Sequence, residues 1–195
     1  MRVIQVKCPQ CDSPLTMKQK DKVFYCASCG TMHVRNGGVE KLDYEIGEFS
    51  PNAQGERVFM PFWRVYASLV VRSKAVEGGT LFKIANFLKG GDSGNMFIYI
   101  PAAELSTADF RRLASQYTSS PPRYSTRLKF GNEVRVPAAI SKQEAAELAD
   151  FVIVTMEAEQ PGVLQRLDYS LTINDTKLVY LPFVRNAGGQ LLSGL

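Results

Sequence analysis

The chain has 195 residues, of which 45% are hydrophobic and 22% are charged, and its formal net charge is +4. This composition excludes a disordered or fibrous protein and suits one medium domain with a small module attached. The longest apolar runs, residues 65–71 and 151–156, are too short for a transmembrane helix, which takes about 20 residues.

All four cysteines lie near the start of the chain, as the pairs Cys8-Pro9-Gln10-Cys11 and Cys26-Ala27-Ser28-Cys29. A secreted, disulfide-bonded protein usually spreads its cysteines along the sequence. The few residues before the first pair leave no room for a signal peptide, so we expect a cytoplasmic protein. Two pairs at this spacing let four thiolates reach one ion. The sequence therefore predicts a zinc ribbon over residues 1–36, with Zn²⁺ as a structural cofactor.

The residues around the two pairs fit the same interpretation. Residues 15–17 and 22–25 are predicted strands, and Gly30 supplies the positive φ that the turn after the second pair needs. Four cysteines complete a tetrahedral shell and leave no position for a substrate, so we expect a structural rather than a catalytic ion. His33, the only histidine, is a ligand in principle. Because the shell is already complete, we expect it to be exposed or to pack within the ribbon.

The ribbon also carries the whole net charge of the chain. Residues 1–35 hold six basic side chains against Asp12 and Asp21, and the acidic and basic residues of the rest balance. A zinc ion bound by four thiolates reduces the charge of the ribbon to about +2. The basic side chains are Arg2, Lys7, Lys18, Lys20, Lys22 and Arg35.

The next segment, residues 37–56, is predicted to be a polar linker, because it is rich in turn-forming glycine, serine, proline and asparagine. Residues 57–71 are rich in aromatic and β-branched residues and predict a strand, with Pro61 at an edge or a bulge. Phe62 and Trp63 fit the core of such a strand. Residues 77–94 are glycine-rich and predict a flexible excursion, with a short helix over residues 81–89.

A short internal repeat follows. Each copy is a strand that ends in Pro-Ala-Ala, at residues 101–103 and 137–139, followed by a serine and a carboxylate three residues later. This spacing is that of a capping box, in which the two side chains bond backbone N–H groups at the start of a helix. The repeat predicts helices over residues 106–117 and 141–150. The second extends to residue 159 unless residues 151–156 form a strand instead.

A second internal similarity relates residues 58–62, Val-Phe-Met-Pro-Phe, to residues 179–183, Val-Tyr-Leu-Pro-Phe. The second of these segments also belongs to a predicted hairpin that turns at Asn174-Asp175-Thr176. The sequence therefore predicts an α+β fold. The ribbon is followed, over residues 57–195, by a pseudo-duplicated body with an antiparallel sheet and two main helices.

The pattern Cys8-Pro9-Gln10-Cys11 with Cys26-Ala27-Ser28-Cys29-Gly30 resembles the ribbon of transcription-factor-IIB-like zinc ribbon proteins. With Met60-Pro61-Phe62-Trp63-Arg64 and Ile100-Pro101-Ala102, the chain looks like a group of uncharacterised prokaryotic proteins that couple such a ribbon to a Pro-Phe-Trp-containing body. The resemblance implies no established activity. Ribbons in such proteins are often protein-docking modules and sometimes nucleic-acid modules.

No catalytic set is recognisable in the sequence. A single histidine, placed in the ribbon, gives no Ser-His-Asp or Cys-His arrangement, and no phosphate-binding P-loop occurs. An acid/base pair assembled by folding, in a cleft between the half-repeats, stays open as an alternative.

We therefore expect a non-enzymatic adaptor or structural component that joins other proteins in an assembly. The alternative is a transcription-related protein that binds nucleic acid, for which a ribbon charge of about +2 is small. Aromatic and arginine side chains dominate interaction surfaces. Trp63 and Arg64 of the predicted strand are therefore candidates together with basic residues of the ribbon. The predicted interaction surface consists of Lys18, Lys20, Lys22, Arg35, Trp63 and Arg64.

Overall fold

The computed structural model describes residues 6–15, 20–36, 38–77, 92–158 and 163–195. Within these ranges it is a mixed α+β fold, as the sequence predicts. Its strands are β1 Val23–Tyr25, β2 Met32–Asn36, β3 Gly38–Leu42, β4 Tyr44–Gly47, β5 Glu56–Glu77, β6 Ser93–Pro101, β7 Thr126–Arg127, β8 Val134–Arg135, β9 Val163–Arg185 and β10 Leu191–Ser193. Its helices are α1 Thr107–Ser119 and α2 Lys142–Ala158. The helix predicted over residues 81–89 lies outside the described residues.

The ribbon contains a three-stranded antiparallel sheet in the order β1-β2-β3. The third strand falls in residues 37–56, where the sequence predicts a linker. The same segment holds β4, which pairs in parallel with β9 of the large sheet. About half of the predicted linker is therefore strand, because β3 pairs with β2 and β4 pairs with both β9 and β7, which outweighs the polar, glycine-containing composition of the segment. The division of the chain into separate domains stays a prediction.

The large sheet has the strand order β6-β5-β9-β4-β7, with β8 beside β5 and β10 beside β9. Its spine is the antiparallel pair β5 and β9, which is interrupted only by three register shifts. The two echoing segments pair with each other: Val58 lies opposite Phe183, Met60 opposite Leu181, and Phe62 opposite Val179. The pairing is symmetrical about Met60 and Leu181. Pseudo-duplication of the whole body stays a prediction.

Two prolines lie inside this spine, although a proline cannot donate a ladder hydrogen bond. Pro61 faces the gap between β6 and β8, where its carbonyl oxygen accepts a bond from Ala102 N–H at 2.8 Å. Pro182 faces the gap between β4 and β10, where its carbonyl accepts from Gly194 N–H at 2.9 Å. Each proline nitrogen thus lies where a neighbouring strand is interrupted. Both are tolerated in an interior strand for that reason.

Both helices begin at the predicted serines. The second has the complete capping box, because Glu144 also accepts from Ser141 N–H at 2.7 Å, whereas in the first the Asp109 carboxylate accepts from the Ser106 hydroxyl at 2.7 Å. Ser106 Oγ accepts a bond from Asp109 N–H at 3.1 Å, and Ser141 Oγ accepts from Glu144 N–H at 3.2 Å. The second helix continues to Ala158, so residues 151–156 are helical and the strand alternative for them is wrong. Neither of these two described helices is long and apolar enough to cross a membrane.

Two apolar clusters cover the two faces of the large sheet. The first lies between the sheet and α2 and also takes in the ribbon residues Val23 and Met32. The second contains Met60 and Phe62 and is covered by α1. Trp63 is fully buried in the first cluster, and its indole N–H donates to Ile140 O at 2.8 Å. Trp63 is therefore a core residue and does not line a surface, since alternate residues of β5 point to opposite faces.

Candidate metal centre

The two cysteine pairs lie in two tight backbone turns. In the first, Asp12 N–H donates to Cys8 O at 2.9 Å, and Asp12 adopts a positive φ of 57°. In the second, Gly30 N–H donates to Cys26 O at 2.8 Å, and Gly30 has a φ of 72°, as the sequence predicts. Glycine adopts this left-handed conformation without a Cβ penalty. The matched turns direct the cysteine side chains of both pairs toward one point.

All four cysteine sulfurs lie within 4.8 Å of one another, and none is in a disulfide. Cys8 Sγ is 3.7 Å from Cys29 Sγ, and Cys11 Sγ is 3.6 Å from Cys26 Sγ. A tetrahedron with metal–sulfur bonds of about 2.3 Å has sulfur–sulfur edges of about 3.8 Å. The cluster therefore fits a tetrahedral thiolate site, and the four cysteines can hold a metal ion.

His33 lies beneath this cluster with only 1% of its surface exposed. Its Nε2 is 3.4 Å from Cys8 Sγ and 2.9 Å from Thr31 Oγ1. The group of mutually close metal-binding atoms comprises the four sulfurs without this imidazole. Of the two predicted places for His33, exposed or packed in the ribbon, the structure shows the second. It is a hydrogen-bonding neighbour of the site.

The hydroxyl of Thr31 joins the same network. It lies 2.9 Å from Cys29 Sγ and 3.6 Å from Cys8 Sγ. Two neighbours outside the thiol shell, Thr31 and His33, can therefore donate to the sulfurs. Such donors stabilise thiolates and orient them toward a cation.

The local environment makes the four thiols unequal. Burial opposes ionisation of Cys8, but hydrogen bonds from Thr31 and from backbone N–H groups outweigh it and lower the pKa to about 5. The Thr31 hydroxyl likewise lowers the pKa of Cys29. A backbone hydrogen bond from Cys29 favours the Cys26 thiolate. Burial and its sulfur neighbours outweigh that bond and raise the Cys26 pKa to about 11. The thiols of Cys8 and Cys29 therefore ionise more readily than that of Cys26. A bound cation would favour loss of the proton from the remaining thiols as well.

A buried ion pair fastens the ribbon to the body. Asp21 Oδ2 accepts from Arg135 Nη2 at 2.5 Å, and the Asp21 side chain has 0% exposure. Asp21 Oδ1 accepts a second bond, from Ala138 N–H, at 3.0 Å. On the body side, Arg135 also donates to Tyr180 OH at 2.8 Å. The Asp21 carboxylate thus contacts Arg135 of β8 and the loop at Ala138, and through Arg135 it is linked to Tyr180 in the core of the body.

Backbone and aromatic contacts extend this attachment. Lys22 N–H donates to Ala138 O at 2.7 Å, next to the buried ion pair. Tyr25 packs edge-on against Phe130, with ring centroids 5.1 Å apart. Tyr44 OH donates to Gly30 O at 2.6 Å, which ties β4 to the second cysteine turn. The metal centre is therefore supported by the body as well as by its own turns.

The structure disperses the other predicted interaction residues. Lys20 and Lys22 are exposed at the base of the ribbon. Arg64 is largely covered, with 22% of its side chain exposed, and it makes two bonds of 3.0 Å to Glu45. Arg35 belongs to β2, and Lys18 lies outside the described residues. Arg64 is thus engaged within the body, whereas Lys20 and Lys22 face solvent.

Sequence reasoning missed what lies next to those lysines. A cavity of about 660 Å³ opens between the base of the ribbon and the two helices, and Lys20 and Lys22 form part of its wall. The remaining lining is mostly apolar and comes from residues 103–110 and 139–151. The signal in the sequence that could have indicated this cavity is the repeated Pro-Ala-Ala-to-helix pattern, because both copies contribute residues to its wall.

Comparisons with known proteins add no relatives: no family model, no curated protein and no solved structure matches the chain.

Proposed function

We propose that the protein is a non-enzymatic adaptor in which one structural Zn²⁺ folds the ribbon and holds it in place for protein–protein interaction. The observation that carries the proposal is the closed cluster of four thiols, joined to the body by the buried Asp21–Arg135 pair. A ribbon fixed in this way is a rigid part of one binding surface.

Zinc is the ion that suits this donor set best. A tetrahedron of four thiolates is typical of zinc or of iron–sulfur centres. The two turns, with sulfur edges of 3.6 and 3.7 Å, match the edge length of about 3.8 Å for a single zinc ion. Metal analysis of the purified protein is expected to give one zinc per chain. An iron–sulfur absorption band in its place would contradict this assignment.

A structural role follows from the number of ligands. Catalytic zinc usually keeps one position for water or substrate, whereas four cysteines occupy every position of the tetrahedron. Cys8 and Cys26 are buried, and His33 and Thr31 are directed at sulfurs. These features support a site that stabilises the fold.

The adaptor role is tested with the tagged full-length chain and two matched variants. Cys11→Ser removes one ligand, whereas Ser28→Ala alters the other knuckle and keeps all four cysteines. We expect Ser28→Ala to keep one zinc and the wild-type set of co-purifying proteins, and Cys11→Ser to lose both. If Cys11→Ser loses zinc and still recovers the same partners, the ribbon is not the interaction module and the proposal is rejected.

A further inference from the structure

The cavity between the ribbon base and the two helices is a feature that the metal site does not explain. We define it as the junction groove. Its charged and polar wall consists of Lys20, Lys22, Glu104 and Thr107. Its apolar wall includes Ala103, Leu105, Phe110, Ile140, Leu148 and Phe151. We propose that the junction groove binds a short segment of a partner protein that combines apolar side chains with carboxylates.

The floor of the groove exposes apolar side chains to solvent. Phe151 is 42% exposed although it lies on a helix whose neighbouring residues Val152 and Ile153 are buried. Phe110 and Leu148 are only partly buried at the same place. Aromatic side chains left open in a concave, apolar site are the usual anchors of interfaces. The groove thus offers pockets for apolar side chains.

The openness of the groove favours a chain segment over a compact small molecule. The groove is an open depression, in which a small molecule would stay largely exposed to solvent. The helix contact beyond it, which shares Phe110 and Phe151, is closed to side chains, and Arg111 lies over the Phe151 ring at 5.8 Å there. An amphipathic segment can lie across the open depression and place its apolar side chains in it.

The charge at the ribbon end selects carboxylates. Lys22 is exposed and forms no salt bridge with any described residue. Lys20 pairs with Glu104 at 2.6 Å, but both side chains are more than 60% exposed, with values of 62% and 67%. Exposed pairs of this kind are worth little, so a partner carboxylate can replace Glu104 on Lys20. Glu144 interacts electrostatically with Lys22, but it already accepts from Ser141 N–H at 2.7 Å.

This inference rests on the proposed function, because the cationic wall belongs to the ribbon. Lys20 and Lys22 flank Asp21, whose bonds to Arg135 and Ala138 place them over the helices. Loss of the metal would therefore also loosen the cationic wall. The apolar wall belongs to the body and contains none of the four cysteines.

The test uses a random 12-residue peptide display library panned against the zinc-loaded full-length protein. We expect enriched peptides to contain Asp or Glu together with Leu, Ile, Phe or Met. Phe151→Asp should weaken a selected peptide by about 30-fold, as expected for loss of an interface anchor. Val154→Asp is the matched control: Val154 is on the same helix, is 39% exposed and does not line the groove, and this variant should bind as the wild type does.

The charge is tested by a double-mutant cycle. Lys22→Gln, or replacement of the peptide carboxylates by amides, should each weaken binding by up to about fivefold, the upper range for an exposed ion pair. The two changes together should cost no more than the replacement of the carboxylates alone. Lys142→Gln removes an exposed lysine outside the groove lining and should leave affinity unchanged.

The inference would be overturned by no enrichment above background, by enriched peptides without carboxylates, or by peptides that bind Phe151→Asp as well as the wild type. Its failure is separable from failure of the adaptor role, because Phe151→Asp keeps all four cysteines. Partners retained by Phe151→Asp and lost by Cys11→Ser would reject the groove and keep the adaptor. Partners retained by both variants would reject the adaptor as well.

Discussion

Asp21 of the ribbon and Arg135 of β8 form an ion pair across 114 positions of sequence, and the Asp21 side chain is fully enclosed. A buried charge is tolerated only when its partner and its hydrogen bonds are complete. Here both carboxylate oxygens are used, Oδ2 by Arg135 and Oδ1 by Ala138 N–H. The pair therefore specifies how the ribbon sits on the body, and removing one member should be costly.

We expect Asp21→Asn to destabilise the protein by about 3–5 kcal/mol, because it removes the carboxylate charge that faces the buried Arg135 guanidinium. Urea unfolding of the zinc-loaded chain measures this. Glu104→Gln is the matched control, since it breaks the exposed pair with Lys20 and should cost about 1 kcal/mol or less. Equal losses for the two variants would show that the buried pair is not a fastening point.

Chelation of the metal should destabilise the body together with the ribbon. Val23 and Met32 of the ribbon belong to the same apolar cluster as Trp63, the only tryptophan in the chain. Because Trp63 is fully buried in the body, its fluorescence reports body unfolding. We expect a strong zinc chelator to lower the thermal midpoint of the Trp63 signal. A Trp63 midpoint that does not change after zinc is removed would show that the two parts unfold independently.

The parts of this structure that could be predicted are those encoded by short spacings. Cys8, Cys11, Cys26 and Cys29 form one cluster because two local turns are enough to gather their sulfurs. Both described helices begin at their predicted serines, because a capping box is complete within four residues.

The parts that could not be predicted depend on tertiary partners. The β-branched run at residues 151–156 has a local preference for strand, yet it is helical because Val152, Ile153 and Met156 bury one helix face against the sheet. The side chains of β5 alternate between two faces, and the sequence does not indicate which face is buried. It therefore could not decide whether Trp63 is a core residue or a surface residue. The bond between Asp21 and Arg135 has no local signal at all.

Replacement of His33 by phenylalanine should weaken metal binding by about 10- to 100-fold, the usual cost of removing a hydrogen-bonding neighbour of a ligand. His33→Phe fills a similar volume and removes the donor to Cys8 Sγ. Competition with a chromophoric zinc chelator measures the affinity. His33→Gln, which keeps an N–H donor, is expected to recover part of it. Wild-type affinity for His33→Phe would show that His33 only fills space.

Glu45, which accepts hydrogen bonds from Arg64, Tyr124 and Lys177, should make part of the stability depend on pH. Burial raises the pKa of Glu45, but hydrogen bonds from Tyr124 and Arg64 outweigh it, so the pKa lies below its ordinary value. A carboxyl group whose pKa is lower in the folded state stabilises the protein above its unfolded pKa of about 4.3 and loses that contribution as the pH falls.

We therefore expect the free energy of unfolding to fall between about pH 5 and pH 3. The fall should be smaller in Glu45→Gln, which has no proton to gain at this site. Tyr124→Phe removes one bond to the carboxylate, a bond of 3.0 Å, and should give an intermediate slope. Urea unfolding at a series of pH values measures the slope. The same slope in Glu45→Gln as in the wild type would show that other groups account for the acid sensitivity.

Nucleic-acid binding, the alternative that the sequence leaves open, should be absent even at low salt. Electrostatic binding to phosphates is strongest at low ionic strength, so a gel shift at about 50 mM salt is the most permissive test. With zinc bound, the ribbon retains a charge of only about +2. We expect no shift of single- or double-stranded probes. A shift that weakens with salt and disappears in Lys22→Glu would instead assign the base of the ribbon to nucleic acid, because reversing one exposed charge removes a phosphate contact and leaves the metal site intact.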